Sequence, residues 1–286
     1  MTVKDIITGK KPSLSFEVFP PKTPDRFAAI EGAIKEIAAL SPSYMSVTYG
    51  AGGGTSEFTA KIAAEIQERG VTALAHLSCI SSTKAGVRSA LKQLRKNGIE
   101  NVLALRGDIP EGGIPEGSEY RYASELTAEI KSYGGFCIGG ACYPEKHPES
   151  RNSWEDIENL KKKVDAGCEF LVTQMFFDND MLYNFANRVA RAGITVPVVP
   201  GIMPVTAASQ LRRIETLSGS AIPPKMLRFI DRYGEKPLAL RQAGIAFATE
   251  QIIDLFGSGF NAVHVYTMNK PETAREIRDN ITGIIS

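Results

Sequence analysis

The feature that most constrains the fold is a regular alternation of short apolar runs with longer amphipathic segments. Eight runs rich in aliphatic, β-branched or aromatic residues are typical of strands: Leu14 to Phe19, Tyr44 to Thr48, Ala73 to Cys79, Asn101 to Leu105, Phe136 to Cys142, Phe170 to Phe176, Val196 to Gly201 and Ala262 to Thr267. Between them lie segments with helical periodicity: Asp25 to Leu40, Ser56 to Arg69, Lys84 to Lys96, Ala123 to Ser132, Trp154 to Ala166 and Asp180 to Ala192. Successive strands start about 30 residues apart, the length of a βαβ unit, so we expect a parallel sheet covered by helices.

The interval between the last two strands is longer than the others. It has room for further helices, predicted at Ala207 to Leu217, Pro224 to Tyr233 and Leu238 to Phe256. Eight βα units with extra helices between strands 7 and 8 predict a TIM (β/α)8 barrel. A doubly wound open sheet is the alternative, but it does not need eight regularly spaced units. The length of 286 residues would also fit two domains, yet a barrel uses it as one, so we expect a single catalytic domain over residues 1–286.

The charge balance excludes several classes of function. Lys and Arg number 33 and Asp and Glu 32, which gives a net charge of +1 and no field that would hold nucleic acid. No apolar run reaches the ~18 residues of a membrane span, and the first residues lack the apolar block of a secretory signal. We therefore expect a soluble, cytoplasmic protein.

Cysteine and histidine usage predicts neither a disulfide framework nor a metal site. The cysteines at positions 79, 137, 142 and 168 form no C-x-x-C pair and lie among apolar neighbours, where reduced, buried thiols are common. The histidines at positions 76, 147 and 264 show no H-x-x-x-H spacing.

Polar residues stand at the ends of the apolar strands, where a barrel of this kind builds its site. They are Glu17, Thr48, Tyr49, His76, Arg106, Gly107, Asp108, Tyr143, Glu145, His147, Gln174, Tyr266 and Asn269. Glu17 is the most diagnostic, because a carboxyl among Phe16, Val18 and Phe19 would be desolvated, and desolvation moves its pKa toward that of a general acid. A structural ion pair explains Glu17 equally well. Asp108 and Arg106 are two residues apart and could likewise form a simple ion pair.

Other segments are weaker signals. The run Gly50 to Thr55 could accept an anion at a helix start, but a tight βα turn is the favoured interpretation, since the dinucleotide and Walker patterns are not met. His76 fits a core histidine and His147 fits a ligand contact. The loop Ile109 to Gly117 is expected at the rim of a site.

The lysines bear on a rival chemistry. Lys22, Lys84 and Lys146 lie in loops rather than on strands, which disfavours a Schiff-base aldolase or a phosphate-sugar lyase. On the helix predicted from Trp154, residues Asp156, Asn159, Lys162 and Lys163 lie roughly on one face, which is either solvated or grips a phosphate.

Taken together, the motifs resemble one family. SFEVFPPK, SVTYGAGG, AHLSC, NVLALRGD, Tyr122-Ala123, ACYPEKHPE, LKKKVDAG, TQMFFD, PGIMPV and VYTMN occur in order from about Leu14 to Asn269. They are similar to successive motifs of the methylenetetrahydrofolate reductases, TIM-barrel flavoproteins. The chain resembles the catalytic part of that family, without the C-terminal regulatory extension of its longer members.

The resemblance implies bound FAD and the reduction of 5,10-methylenetetrahydrofolate to 5-methyltetrahydrofolate. It implies that Glu17 is the general acid that opens the folate ring, that Asp108 lies near the flavin and the pterin, and that Gln174 binds the folate. It assigns FAD contacts to Thr48, His76, Arg106, Gly107, Asp108, Tyr122, Ala123, Tyr143, His147, Asp156, Asn159, Lys162, Lys163 and Tyr266, the two lysines at its phosphates. Hydride donor and folate would alternate in one pocket, which predicts ping-pong kinetics.

Two positions depart from the family pattern. A stacking Phe of the family aligns with Ile214, which offers no aromatic face, although Gln210 is retained nearby. An Arg of the family aligns with Lys270, which is not a bidentate substitute. Gln210 and Lys270 join Gln174 as expected substrate-binding residues, and the departures affect NADH use more than folate reduction.

The electron donor therefore stays open between NAD(P)H and a partner flavin or iron–sulfur subunit. An assembly with copies of itself or with other subunits is expected. A barrel that binds folate or flavin without turnover is the alternative from another class of function.

Overall fold

The computed structural model describes residues 1–21, 27–49, 56–110, 112–211, 214 and 219–286. Several predictions fall outside these residues: the turn Gly50 to Thr55, the lysine Lys22, the start of the helix predicted from Asp25, one position of the loop Ile109 to Gly117, and much of the helix predicted over Ala207 to Leu217.

The strands form one parallel sheet that closes on itself, which confirms the predicted barrel. They are β1 (Ser13–Val18), β2 (Met45–Val47), β3 (Ala73–Ser78), β4 (Asn101–Leu105), β5 (Cys137–Cys142), β6 (Phe170–Thr173), β7 (Val198–Val199), β8 (Gly201–Ile202) and β9 (Ala262–Tyr266). Neighbours run in chain order from β1 to β7, and β9 lies between β1 and β8.

The seventh strand of the barrel is divided at Pro200. Its first half, β7, pairs with β6, and its second half, β8, pairs with β9. Proline has no N–H to give to a ladder, so the strand changes partner there. The Pro200 carbonyl nevertheless accepts the His264 N–H at 2.8 Å. The run predicted as one strand, Val196 to Gly201, thus forms the closing seam.

One helix precedes β1, and the others follow strands around the outside of the barrel. The helices are α1 (Val3–Ile7), α2 (Phe27–Ala38), α3 (Ser56–Glu68), α4 (Lys84–Lys96), α5 (Ala123–Tyr133), α6 (Ser153–Asp165), α7 (Asn179–Arg191), α8 (Pro224–Tyr233), α9 (Pro237–Gly257), α10 (Pro271–Asn280) and α11 (Thr282–Ile285). Helices α8 and α9 confirm the predicted insertion before the last strand. Helices α1, α10 and α11 were not predicted. Within the described residues, no helix is both long and apolar enough to cross a membrane.

The outer core lies between the sheet and these helices. On β1, Leu14, Phe16 and Val18 point outward and are buried against the helices. Successive strand residues face opposite sides, so Ser13, Ser15 and Glu17 face the barrel interior. The interior is therefore filled by the alternate residues of each strand.

The lower interior of the barrel is a separate apolar cluster. It contains Tyr44, Leu74, Leu103, Cys137, Phe170, Val172, Val199 and Ala262, together with Val3 and Ile7 of α1. The Val3 N–H donates to Asn101 Oδ1 at 2.8 Å, which ties α1 to the first residue of β4. Helix α1 therefore closes the amino-terminal end of the barrel and leaves the other end open. All four cysteines are buried and free.

Candidate active site

A cavity of about 1120 Å³ opens at the carboxyl ends of the strands. Thirteen of the residues singled out in the sequence line it: Glu17, Thr48, Tyr49, His76, Arg106, Gly107, Asp108, Ala123, Tyr143, His147, Lys163, Gln174 and Tyr266. Eleven of them come from seven different strands or the loops after them, because parallel strands end at one rim, and Ala123 and Lys163 come from α5 and α6. Residues distant in sequence therefore converge on one site.

Glu17 is surrounded by polar groups that the barrel interior supplies. Its Oε2 is 3.6 Å from His76 Nε2 and 3.9 Å from His264 Nε2. The Ser46 hydroxyl donates to the same oxygen at 3.4 Å. The side chain is 16% exposed, so the carboxyl faces the cavity while its surroundings are shielded from bulk water.

His76 is the most strongly perturbed histidine. Burial lowers its pKa to about 4, although Glu17 acts in the opposite direction and His264 in the same one. The imidazole is therefore neutral near pH 7. Its Nε2 is buried and has no hydrogen-bond partner within the described part of the chain.

His264 lies at the centre of a buried chain of hydroxyls. Its Nδ1 is 2.8 Å from Ser15 Oγ, and its Nε2 is 2.9 Å from Ser46 Oγ. Strand register explains this, because Ser15 is opposite His264 across β1 and β9, and Glu17 is opposite Ser46 across β1 and β2. The Tyr44 ring stacks on the imidazole with centroids 5.6 Å apart, which fixes its plane.

Tyr266 crosses the upper interior of the barrel. Its hydroxyl donates to the Thr173 carbonyl at 2.5 Å, and its ring meets His264 edge-on. Gly201 makes this possible, since a Cβ there would lie 2.5 Å from the Tyr266 hydroxyl oxygen and 2.4 Å from the Thr173 carbonyl oxygen. Burial raises the pKa of Tyr266, so its phenol stays protonated.

Arg106 pairs with Glu149 rather than with Asp108. Its two terminal nitrogens bond both Glu149 oxygens at 2.5 and 2.6 Å, so the ion pair suggested by the two-residue spacing is wrong. The pairing raises the pKa of Arg106 and lowers that of Glu149. Asp108 instead lines the cavity. Gly107 has φ +86°, and a Cβ there would lie 2.0 Å from Ser78 Oγ, so the backbone fits closely only with glycine.

Tyr143 and His147 form one aromatic wall of the cavity. Their rings meet edge-on with centroids 4.7 Å apart, and His147 Nδ1 accepts the Glu149 N–H at 3.1 Å. Burial is the main cause of a lowered pKa at His147 and of a pKa raised to about 12 at Tyr143. Both rings are therefore uncharged near neutral pH.

Of the two consecutive lysines, the structure brings one to the cavity. Lys163 Nζ donates to the Ala141 carbonyl at 2.6 Å and lines the cavity, and desolvation lowers its pKa. Lys162 lies on the exposed side of α6, where its Nζ donates to Asn159 Oδ1 at 3.1 Å. Adjacent helix positions point in different directions, so the two lysines do not act on one group from the same side.

Two further expected cofactor residues, Asp156 and Tyr122, are not among the residues that line the cavity. Asp156 Oδ1 accepts the Ser150 hydroxyl at 2.9 Å and so holds the loop before α6. Tyr122 precedes α5 next to Ala123, and its ring is 65% exposed.

The expected substrate residues fall in two places. Gln174 lines the cavity, and its Oε1 accepts the Met175 N–H at 3.0 Å. Gln210 and Lys270 instead meet at Thr206, where Gln210 Oε1 accepts its N–H at 2.8 Å and Lys270 Nζ donates to its hydroxyl at 3.0 Å. Ile214 is 2% exposed and packs in a small core with Phe177, Met203, Val205 and Met226.

Sequence reasoning missed the partners of Glu17. Ser15, Ser46 and His264 were not candidates, although Ser15 and Glu17, and His264 and Tyr266, each stand two residues apart and so share a strand face. Alternation was the available signal. It shows which residues share a face, but not which face points into the barrel.

The fold and this rim of polar side chains define a (β/α)8 barrel of the enzyme type, with its site at the carboxyl ends of the strands. The family model of methylenetetrahydrofolate reductase matches residues 2–282. A 5,10-methylenetetrahydrofolate reductase of Escherichia coli is 36% identical over 267 residues, covering 93% of this chain and 89% of that protein. An Arabidopsis thaliana relative named methylenetetrahydrofolate reductase (NADH) 1 is 34% identical and covers 99% of this chain and 50% of that protein. The chain therefore belongs to the methylenetetrahydrofolate reductase family and is an oxidoreductase.

A solved structure shows the same fold at low identity. It is an uncharacterized protein from Clostridium thermocellum, described as binding two copies of 5-methyl-5,6,7,8-tetrahydrofolic acid. The TM-score is 0.67 and the identity 14%, with 98% of each chain covered.

Proposed function

We propose that this chain reduces 5,10-methylenetetrahydrofolate to 5-methyltetrahydrofolate with bound FAD, and that Glu17 is the proton donor. The observation that carries the proposal is a glutamate at the floor of the cavity, held beside two imidazoles and a hydroxyl, in a chain of this family. Named relatives act on the same folate, which supports the substrate.

The residues present fit a flavin dinucleotide together with a folate. A cavity of about 1120 Å³ exceeds the roughly 300–1,000 Å³ of most small-molecule sites, so it has room for two ligands. His76 Nε2 is a buried nitrogen in the cavity wall that lacks a partner within the described residues. Lys163 supplies an ammonium group to the cavity wall and Tyr143 an aromatic surface, which are groups that phosphates and a planar ring system require.

When bound, FAD supplies the hydride that reduces the folate carbon. Opening the folate ring needs a proton at the leaving nitrogen, and Glu17 is placed to give it from the floor of the cavity. Asp108 follows β4 and Gln174 follows β6, and both line the cavity, where a carboxylate and an amide orient a pterin by hydrogen bonds. The enclosed interior below them excludes water from that step.

NADH is the proposed electron donor. Plant relatives are named as NADH enzymes, which supports a direct hydride donor rather than a partner subunit.

The test separates the two half-reactions. We expect the purified protein to be yellow, to release FAD on denaturation, and to be bleached by NADH alone under anaerobic conditions. Glu17→Gln should leave this reduction unchanged and slow reoxidation by methylenetetrahydrofolate by about 10²–10⁴-fold, the usual contribution of a general acid.

Glu100→Gln is the matched control, since Glu100 is 61% exposed at the amino-terminal end of the barrel, away from the cavity. It should reoxidise at the wild-type rate. A colourless protein, or a Glu17→Gln variant with wild-type reoxidation, would contradict the proposal. A flavin that folate reoxidises but NADH does not reduce would indicate a partner subunit as donor.

A further inference from the structure

The hydroxyls of Ser15 and Ser46, together with the His264 imidazole, form a continuous series of hydrogen-bond contacts from the Val263 carbonyl to Glu17. Ser15 Oγ donates to the Val263 carbonyl at 3.1 Å and contacts His264 Nδ1 at 2.8 Å. Ser46 Oγ contacts His264 Nε2 at 2.9 Å and Glu17 Oε2 at 3.4 Å. Ser15, Ser46 and His264 are at most 1% exposed, so water does not replace these contacts.

The Ser15 hydroxyl has one hydrogen and two acceptors within reach, the Val263 carbonyl at 3.1 Å and His264 Nδ1 at 2.8 Å. When the hydrogen goes to the carbonyl, Ser15 offers a lone pair to the imidazole, and His264 Nδ1 carries a hydrogen and donates it to Ser15.

At the near end, two arrangements satisfy every contact. In one, Ser46 donates to a neutral His264 Nε2 and accepts from a protonated Glu17. In the other, His264 carries a second hydrogen and donates to Ser46, which donates to an ionised Glu17. Both contain the same number of protons. An ionised Glu17 beside a neutral His264 requires Ser15 to donate to His264 Nδ1, which gives up the bond from Ser15 to the Val263 carbonyl.

We propose that Glu17 and His264 share one proton through the Ser46 hydroxyl, and that His264 is a positioning residue that keeps the acid of the site supplied with it. In the transfer, the Glu17 O–H bond breaks as its proton passes to Ser46 Oγ, and the Ser46 proton passes to His264 Nε2. A carboxylate and an imidazolium result, and no electrons are exchanged. The proposal rests on the proposed function, in which Glu17 is the proton donor.

The titratable groups packed around the pair do not compete for this proton. They are His76 on β3, Tyr44 before β2 and Tyr266 on β9. The pKa of His76 is lowered to about 4, and burial raises the pKa values of Tyr44 and Tyr266.

A proton shared between Glu17 and His264 predicts the direction in which the alkaline loss of activity moves when the two residues are disconnected. A proton that two sites can hold is lost at higher pH than a proton held by Glu17 alone, because the apparent pKa belongs to the pair. Removing the Ser46 hydroxyl should interrupt the hydrogen bonds between Glu17 and His264, and should therefore move the alkaline loss of activity to lower pH.

The first experiment measures the pH dependence of folate-driven flavin reoxidation in the holoenzyme. Ser46→Ala should move the alkaline limb down by about one pH unit or more. Ser15→Ala, which does not touch Glu17, should move it in the same direction by less, because His264 Nδ1 loses its acceptor. Ser13→Ala is the matched control: Ser13 precedes Ser15 by two residues on β1, is buried, and its hydroxyl has no partner within the described residues. Its profile should match the wild type.

The second experiment needs neither cofactor nor substrate. Nitrogen NMR of ¹⁵N-histidine-labelled protein should show three imidazoles, with His264 identified by its loss in His264→Gln. We expect His264 Nδ1 to carry a proton throughout pH 6–8.

Superimposable wild-type and Ser46→Ala pH profiles would overturn the proposal, as would a His264 whose Nδ1 carries no proton. If the protein turns over no folate, the proposed function fails, while the NMR result still decides the hydrogen arrangement. If Ser46→Ala does not fold, the wild-type NMR spectrum decides.

Discussion

The two halves of the barrel interior use the same strands for different purposes. On β3, the lower residue Leu74 is apolar and the next inward residue is His76; on β9, Ala262 is followed in the same way by His264. Two strand residues span about 6.6 Å, so the interior changes from apolar to polar within one pleat. The lower half stabilises the barrel, and the upper half holds the groups that carry chemistry.

The largest expected effect comes from a substitution that disrupts only the lower half of the barrel interior. Phe170 is fully buried in the lower cluster, so Phe170→Ala should reduce the free energy of unfolding by about 3–5 kcal/mol. Flavin binding per folded molecule should change little. Urea unfolding measures the loss, and Leu227→Ala, at a side chain that is 44% exposed on α8, should stay within about 0.5 kcal/mol of the wild type. A Phe170→Ala protein of normal stability would contradict the division of the interior.

In the upper half of the barrel interior, His76 should make the stability of the protein depend on pH, which the apolar lower half should not do. The pKa of His76 is about 4 in the folded chain and 6.5 in the unfolded chain, so the unfolded chain binds the extra proton between these values. The contribution of neutral His76 to the free energy of unfolding is therefore fully present above pH 6.5, and it is lost as the pH falls toward 4. The shift corresponds to on the order of 3 kcal/mol.

The measurement compares urea unfolding of the wild type with that of His76→Gln at pH 7 and pH 5. The variant should lose less stability between the two pH values. His147→Gln is the control, because His147 is only partly buried and should change the difference less. Equal pH dependence in the wild type and His76→Gln would mean that His76 binds its proton as readily in the folded chain as in the unfolded chain.

The smallest expected effect concerns the closure of the lower end. Asn101 is buried, accepts the Val3 N–H at 2.8 Å and donates to the Ala73 carbonyl at 3.3 Å. Asn101→Ala leaves these groups without partners and should cost about 1–3 kcal/mol. Hydrogen exchange should be faster at α1 and unchanged at the upper rim. Asn97→Ala serves as control, since Asn97 caps the end of α4 through its backbone N–H. Faster exchange at both ends would show that the two halves are not independent.

Much of the fold could be predicted because it depends on local patterns. The strand Asn101–Leu105 and the helices Lys84–Lys96 and Pro224–Tyr233 were predicted at their observed bounds. Helix α1 was missed because five residues are too few to show a period. The division of the seventh strand at Pro200 was missed because it depends on a change of pairing partner rather than on composition.

The sequence predicted which residues line the cavity better than it predicted which of them contact one another. Strand ends pointed to the residues that line the cavity, because every strand of a parallel barrel ends there. Partners were not predictable in the same way: Arg106 meets Glu149, 43 residues later, and Ser46 meets His264, 218 residues later. Such contacts depend on register and loop path, which a single sequence does not encode locally.

The contact between Ser15 and His264 spans 249 residues, nearly the whole chain. During synthesis, β1 leaves the ribosome before its neighbour β9 and cannot pair with it until the residues between them have been made. A nascent chain that stops before Ala262 thus carries Glu17 without His264 and a barrel without its closing strand. The chemistry of this site is therefore available only to chains whose synthesis has passed the last strand, and incomplete products stay inactive.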